Sequence, residues 1–411
     1  MPYKKIKGGV CAPKAFLAAA IAAGIKNPDA TRTDLTVIYS EQPCVSAGTF
    51  TTNKVKAAPV RVTQAHLRAQ ELRAIIANSG NANACTGVMG INDTRTMADA
   101  TAKALGLNRR EIGVCSTGVI GLPLPMDRIT PKIAPLCAAI SAKNGTSVAE
   151  AIMTSDTTKK EIAIIVDLDG QKVRIGACTK GAGMICPSMA TMLCFVTTDA
   201  NLSKVCLQKS LLEAVESSFN RICIDGDMST NDTVLVLANG AAGGPRIARG
   251  SKACRQFRDA LQSVLLTLAK KIVRDGERVT KFVTLDVKGA PTYADAKKVA
   301  EAVSKSALVK ASWNGGDPNW GRIIHAVGYS RARIREELID ISYDDKPACE
   351  GGLVAKTPID ELRAIADLDA FTITINLHLG RADYTIYTSD ISPEYIDFNR
   401  SEYAYWKNAR I

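Results

Sequence analysis

Strand-like and helix-like stretches alternate along this chain of 411 residues. Leu35–Tyr39 and Ala74–Ala77 are short apolar runs that predict buried strands, the second ending in the polar turn Asn78-Ser79-Gly80-Asn81. Thr94–Leu105 carries apolar residues at helical spacing and stops at Gly106, and Ile112–Cys115 reads as a strand entering Ser116-Thr117-Gly118. Glu161–Asp167 and Lys172–Ala177 flank Asp169-Gly170, which predicts a hairpin. Further on, strands are predicted at Met192–Thr197, Thr233–Ala238 and Lys281–Lys288, and helices at Leu207–Phe219, Gln256–Val273 and Ala294–Lys305. Phe371–Leu379 and Tyr384–Thr388 flank Gly380-Arg381 and predict a late hairpin. The pattern is mixed α/β, with too many hairpins for a purely parallel sheet. No period of 20–50 residues repeats, and no Pro/Ser-rich linker marks a boundary.

The longest apolar run, Ala15–Ile25, is 11 residues long and Ala-rich. A spanning helix needs roughly 20 apolar residues, so no membrane span is expected. Lys4, Lys5 and Lys7 before this run imitate an export signal, but Gly8, Gly9, Pro13 and Lys14 interrupt the join. An amphipathic helix is the expectation here. At 46% hydrophobic and 23% charged residues, disorder is excluded as the main state.

The net charge of +11 would suit nucleic acid, an anionic membrane or acidic small molecules. The basic residues are scattered, only 5% of residues are aromatic, and nothing interleaves the two. Nucleic-acid binding is therefore not expected, and carboxylate substrates fit better. The 12 Cys show no CxxC pair and many sit in apolar runs, which predicts buried reduced thiols in a cytosolic protein. His66, His325 and His378 have no ligand spacing, and Asp225-Gly226-Asp227 lacks the full calcium-loop pattern, so no metal is expected. His325 reads as structural. Asn239-Gly240-Ala241-Ala242-Gly243-Gly244 lacks the βαβ context of a dinucleotide site.

Two stretches carry candidate chemistry. In Lys180–Leu193, a Gly-rich loop with Pro187 runs through Ala190 to Thr191 and an apolar strand. Composition alone is satisfied by a loop entering a buried strand. The alternative makes Thr191 a nucleophile. A Thr hydroxyl needs a base, and histidines are scarce. If the Ala190–Thr191 bond were cut, the freed α-amine, with an ordinary pKa of roughly 7.7–8.0, would supply that base. A Gly-flexible loop suits attack on the preceding carbonyl. The second stretch is Ser116-Thr117-Gly118-Val119-Ile120-Gly121. A hydroxyl followed by Gly can present an O–H and a bare N–H together, able to hold an oxyanion; a plain strand-to-loop turn explains the same residues.

These stretches resemble the ornithine acetyltransferase family, the bifunctional glutamate N-acetyltransferase/amino-acid acetyltransferase of arginine biosynthesis. The likeness also rests on Gly8–Lys14, Phe50–Val60, Asn78–Ala84, Asp275-Gly276-Glu277 and Gly316-Asp317-Pro318-Asn319-Trp320-Gly321-Arg322, in that order along nearly the whole chain. It implies a layered α/β sandwich, mixed α+β in its layers. It also implies a precursor that cuts itself between Ala190 and Thr191, into an α chain (1–190) with the oxyanion-hole motif and a β chain (191–411) that begins with the nucleophile. The pieces would assemble as an α2β2 heterotetramer in the cytoplasm. By the same resemblance Thr191 is the nucleophile, and Thr117 and Gly118 form the oxyanion hole. Thr157, Lys180, Thr191, Glu277 and Asn399 contact substrate. The substrates are N2-acetylornithine and glutamate, with acetyl-CoA as an alternative donor in bifunctional members and no cofactor. Residue chemistry agrees: Lys180 can pair with a carboxylate, and Glu277 can meet the ammonium end of ornithine.

Three positions depart from the family pattern. Arg278 stands where Gly is usual after the Asp-Gly-Glu motif, and as an extra cation it can pair with Glu277 or alter the amine pocket. Cys186 replaces a small apolar residue. The tail beyond Asn399 is longer than usual, with Ser401 a poorly registered counterpart for a terminal hydroxyl residue. Two other readings compete with the acetyltransferase: an N-terminal-nucleophile amidohydrolase or aminopeptidase, with water as acceptor, and an uncleaved amino-acid-binding relative.

Overall fold

The computed structural model describes residues 3–29, 31–186 and 192–400. They form two compact units. The first comprises 3–29, 31–181, 192–220 and 228–269; the second comprises 182–186, 221–227 and 270–400.

The first unit is built on two sheets. The larger runs, in spatial order, Tyr3–Ile6, Lys160–Leu168, Gln171–Lys180, Leu193–Thr198, Thr233–Ala238 and Val45–Phe50. All its pairs are antiparallel except Leu193–Thr198 with Thr233–Ala238. Leu193–Thr198 and Thr233–Ala238 are buried along their whole length, as strands in the middle of a covered sheet must be. The smaller sheet runs Phe16–Ile21, Leu35–Ser40, Ala74–Asn78, Ile112–Ser116, and its last pair is parallel. Between those two strands the chain crosses over through the helix Gly87–Leu105, as parallel pairing requires. One core joins the sheets, with Leu193, Phe195 and Leu235 from the larger and Ile38, Ile75 and Cys115 from the smaller. A second core packs the smaller sheet against Gly87–Leu105 and Met126–Ala138 through Val114, Met97, Ile129 and Ile133. The unit is therefore layered mixed α/β, as expected.

The second unit has a seven-stranded sheet, in the order Ile222–Cys223, Ala382–Ser389, Phe282–Ala290, Ala370–Asn376, Asp340–Tyr343, Lys346–Glu350, Leu353–Val354. Its core gathers Val299 and Val303 of the helix Tyr293–Lys305, Trp313 of Ala307–Asn314 and Ile323 of Trp320–Gly328 around Val283, Leu285 and Ile373.

Three expectations are corrected. Phe16–Ile25 is not a helix; Phe16–Ile21 is a strand paired antiparallel with Leu35–Ser40. An Ala-rich run has no polar face to fix a helical period, and here pairing decides its structure. Asp34 accepts the Ala23 and Ile25 N–H groups, each at 2.6 Å, and satisfies the backbone beyond the strand. The late strands do not form a hairpin either. Ala370–Asn376 and Ala382–Ser389 each pair with Phe282–Ala290, which lies between them. Finally, Cys206 and Cys254 form a disulfide, so not all thiols are reduced. Of the other ten cysteines, only Cys85 is exposed. The Asp169-Gly170 hairpin forms as expected, between Lys160–Leu168 and Gln171–Lys180.

Candidate active site

Two parallel strands deliver the Thr117-Gly118 stretch. Ile112–Ser116 ends directly in Thr117-Gly118, alongside the turn that follows Ala74–Asn78. A crevice beyond the carboxyl ends of neighbouring parallel strands is a common ligand site in α/β sheets. The Thr117 N–H is consumed by Asn78 O at 3.0 Å, and Val119 N–H by Gly80 O at 3.4 Å. The Gly118 N–H between them makes no hydrogen bond among the described residues. Gly118 has φ +133°, and a Cβ there would lie 2.2 Å from the Gly80 carbonyl carbon. Only glycine fits, and its bare N–H follows from that requirement.

Lys180 ends the strand Gln171–Lys180, opposite Leu193. It is buried, and its Nζ donates to Thr117 Oγ1 at 3.3 Å. A buried ammonium needs counter-charge. Asp156 supplies it, within a tight turn. Its carboxylate accepts from Lys160 Nζ at 2.6 Å, from Gly181 N–H at 2.8 Å and from Thr154 N–H at 3.0 Å. Burial alone would raise the Asp156 pKa; the Lys180 and Lys160 ammoniums and the Gly181 N–H overcome it and hold the carboxyl at about 2. Thr157, one residue further, is exposed.

The chain leaves the larger sheet at Lys180 and re-enters it opposite, at Leu193. Ala190 and Thr191 lie outside the described residues. Met192, the first described residue after them, is held by Asp232: the Met192 N–H donates to Asp232 Oδ1 at 3.0 Å.

In the second unit, Asp225 accepts the Met184 and Ile185 N–H groups at 2.5 and 2.9 Å, fixing the segment before the expected cut. Burial raises the Asp225 carboxyl to about 6 against those same N–H donors. Glu277 is half-buried; its N–H donates to Ala182 O at 2.9 Å, and a Cβ on Gly183 would strike its carboxylate. Asn399, on the helix Pro393–Arg400, donates to Glu277 Oε2 at 3.4 Å. The structure thus brings Lys180 to Thr117 and Gly118, and Asn399 to Glu277.

The sequence profile of the ArgJ family matches residues 17–404. The chain belongs to the ArgJ family. A protein of Symbiobacterium thermophilum named arginine biosynthesis bifunctional protein ArgJ is 48% identical over 398 residues, covering 96% of this chain and 98% of the relative. Its counterpart of the same name in Geobacter sulfurreducens is 46% identical over 388 residues, covering 94% and 98%. Among solved structures, an ornithine acetyltransferase from Mycobacterium tuberculosis, crystallised with ornithine, is 41% identical over 46% of this chain and 99% of that chain, with a TM-score of 0.42. The family expected from the motifs is the family found.

The departures from the ArgJ pattern resolve differently. The Arg278 guanidinium sits over the Phe398 ring, 5.2 Å from its centroid, and no ion pair with Glu277 forms among the described residues. Its φ of +56° is the left-handed conformation that a Gly would adopt freely. Burial pushes the Cys186 thiol up to about 12, which leaves it without nucleophilic thiolate at neutral pH. Residues 401–411 lie outside the described residues.

Sequence reasoning gave no role to Asp156, Lys160 or Asp232. The string Thr154-Ser155-Asp156-Thr157 signals a turn and nothing more. Only the fold places its carboxylate against a strand end 24 residues later.

Proposed function

We propose that this ArgJ-family acetyltransferase cuts itself between Ala190 and Thr191, and that Thr191 then carries the acetyl group of N2-acetylornithine to glutamate. The observation that carries the reading is the pairing of the Gly118 N–H, which makes no hydrogen bond among the described residues, with the Thr117 hydroxyl, which a buried ammonium, Lys180, anchors. Lys180 donates to Thr117 Oγ1, so the Thr117 proton is directed elsewhere. The hydroxyl and the N–H form a two-donor oxyanion site, each donor worth ~2.7–4 kcal/mol in acyl transfer.

In the cut, Thr191 Oγ attacks the Ala190 carbonyl carbon. The C–N bond breaks, its nitrogen takes the proton that Oγ loses, and an ester links the two segments. Water hydrolyses the ester, leaving the Ala190 carboxylate and a Thr191 with free hydroxyl and free amine. In the transfer, Oγ attacks the acetyl carbonyl and its proton passes to the Thr191 α-amine. The acetyl C–N bond breaks, and that proton goes to the departing ornithine nitrogen. The neutral amine of glutamate then attacks acetyl-Thr191; Oγ leaves and receives the proton the new amide gives up.

Lys180 also offers its charge to a substrate carboxylate. Glu277, with Asn399 beside it, meets the second ammonium of ornithine, and Thr157 adds a hydroxyl contact. Acetyl-CoA serves as the second donor, the two segments assemble as α2β2, and the enzyme works in the cytoplasm without a cofactor.

The test is product analysis with N2-acetylornithine and glutamate. N-acetylglutamate should form in step with ornithine, by ping-pong kinetics, and not in Thr191→Ala. Acetate in place of N-acetylglutamate would make water the acceptor and replace this reading with a hydrolase.

A further inference from the structure

We propose that Asn231 is a positioning residue for acetyl transfer: its side-chain amide ties together the two chain segments that carry the Thr117-Gly118 donors. The inference rests on the oxyanion reading above. Asn231 lies two residues before the strand Thr233–Ala238 of the larger sheet, while both segments it ties lead out of the smaller one. Its Nδ2 donates to Ala82 O at 2.7 Å and to Ser116 O at 2.8 Å. Ser116 ends the strand Ile112–Ser116, and Ala82 follows the turn after Ala74–Asn78.

The amide orientation is fixed from both ends. A primary amide has two N–H donors and one carbonyl acceptor. Both donors of Asn231 go to the two carbonyls, and its Oδ1 accepts from the Thr230 hydroxyl at 2.5 Å. Turned over, the amide would set an oxygen against two carbonyl oxygens. The backbone around it is held as well. Asn231 N–H donates to Ser229 Oγ at 3.0 Å, Thr230 O accepts from Ala57 N–H at 3.0 Å, and Asp232 O accepts from Thr51 N–H at 2.9 Å. Asn231, Ala82 and Ser116 are all buried, so these bonds form away from water.

The carbonyl of Ser116 is one half of the Ser116–Thr117 peptide group. The other half, the Thr117 N–H, donates to Asn78 O at 3.0 Å. A planar peptide pinned at both its oxygen and its nitrogen cannot rotate. On the far side of Gly118, Val119 O accepts from Ala82 N–H at 2.9 Å, and Asn231 holds Ala82 by its carbonyl. The Thr117–Gly118 peptide, whose N–H is the second oxyanion donor, lies between these two anchors, and Asn231 serves both. Gly118, at φ +133° and without a Cβ, does little to restrict that peptide itself. Lys180 sets the Thr117 hydroxyl, at 3.3 Å; Asn231 sets the backbone beneath both donors. Such donors act only when aimed at the place where charge develops, about 2.7–3.1 Å away.

The test compares N2-acetylornithine with its thioacetyl counterpart, in which sulfur replaces the acetyl oxygen. Sulfur is larger and a weak hydrogen-bond acceptor, so donors placed for an oxyanion serve it poorly. Thioacetyl transfer to glutamate gives ornithine and N-thioacetylglutamate, and the ratio of kcat/KM for the two substrates reads donor placement. The unaltered protein should strongly prefer the acetyl substrate. Asn231→Leu keeps bulk and removes both donors. Its kcat on N2-acetylornithine should fall by about 10²-fold, the usual effect of a displacement of about 1 Å, with KM within about threefold. Its preference for acetyl over thioacetyl should shrink by about tenfold or more. Equal losses on both substrates would make Asn231 merely structural and overturn the inference. If Asn231→Leu does not fold, Thr230→Val decides. It removes only the hydroxyl that fixes the amide orientation and should narrow the preference in the same direction by less; an unchanged ratio overturns the inference. No transfer by the unaltered protein, or no preference for the acetyl substrate, would instead remove the oxyanion reading beneath it.

Discussion

Asp156 and Asp232 are both buried carboxylates in the same unit, and both feel Lys180, yet their acidities part in opposite directions. Asp156 has a direct ammonium at 2.6 Å and two backbone donors, and is held at about 2. Asp232 has one backbone donor and an oxygen with no partner among the described residues, and is pushed up. Burial is common to both; counter-charge decides. The Asp156 turn is a finished electrostatic structure that fixes Lys180 beside Thr117. Asp232 has no ammonium in contact among the described residues, and burial leaves its carboxyl high. The two carboxylates are told apart by how much counter-charge the fold sets against each.

The largest effect that would break the first half of this picture is at Gly118. Gly118→Ala places a Cβ 2.2 Å from the Gly80 carbonyl carbon and 2.4 Å from Asn81 N, with φ at +133°. Backbone cannot yield as a side chain can, and the loss should be at least ~3 kcal/mol of stability, seen in chemical denaturation, with acetyl transfer abolished.

Next in size is Asp156→Asn. It strips counter-charge from two buried ammoniums, and removing one partner of a buried pair costs about 3–5 kcal/mol. The unaltered protein carries the matching pH signature. A carboxyl held at about 2 against an ordinary value of 3.8 stabilises the fold fully above the ordinary value, by about 2 kcal/mol. That contribution fades as pH falls from 3.8 towards 2. Acid unfolding of Asp156→Asn should lack this part of the slope.

The smallest effect sharpens the comparison most. Asp232→Asn keeps an acceptor for the Met192 N–H and relieves a buried carboxylate of its charge. Its stability should stay within about 1 kcal/mol of the unaltered protein, read by chemical denaturation. A stability loss as large as that of Asp156→Asn would erase the distinction between the two carboxylates.

How much of this was legible in the sequence follows from the range of each signal. The Asp169-Gly170 hairpin, the Gly106 helix stop and the strands at Leu35, Ala74, Ile112 and Thr233 are encoded locally, by turn chemistry and apolar runs, and the structure contains them. Phe16–Ile21 was not legible, because alanine fits either period and only pairing with Leu35–Ser40 decides. The strand between Ala370–Asn376 and Ala382–Ser389 comes from some 80 residues earlier, beyond any local pattern. At the site, Thr117, Gly118 and Lys180 stood out through motif and residue type. Asp156 and Asp232 did not, since their meaning lies in what the fold sets against them.

The central claim is that Thr191 becomes a free N-terminus, and the mass of the purified protein under denaturing conditions tests it most directly. The account predicts two fragments that meet at Ala190/Thr191, replaced by a single chain in Thr191→Ala. One intact species from the unaltered sequence, stable on long incubation, would contradict it and favour an uncleaved binding protein.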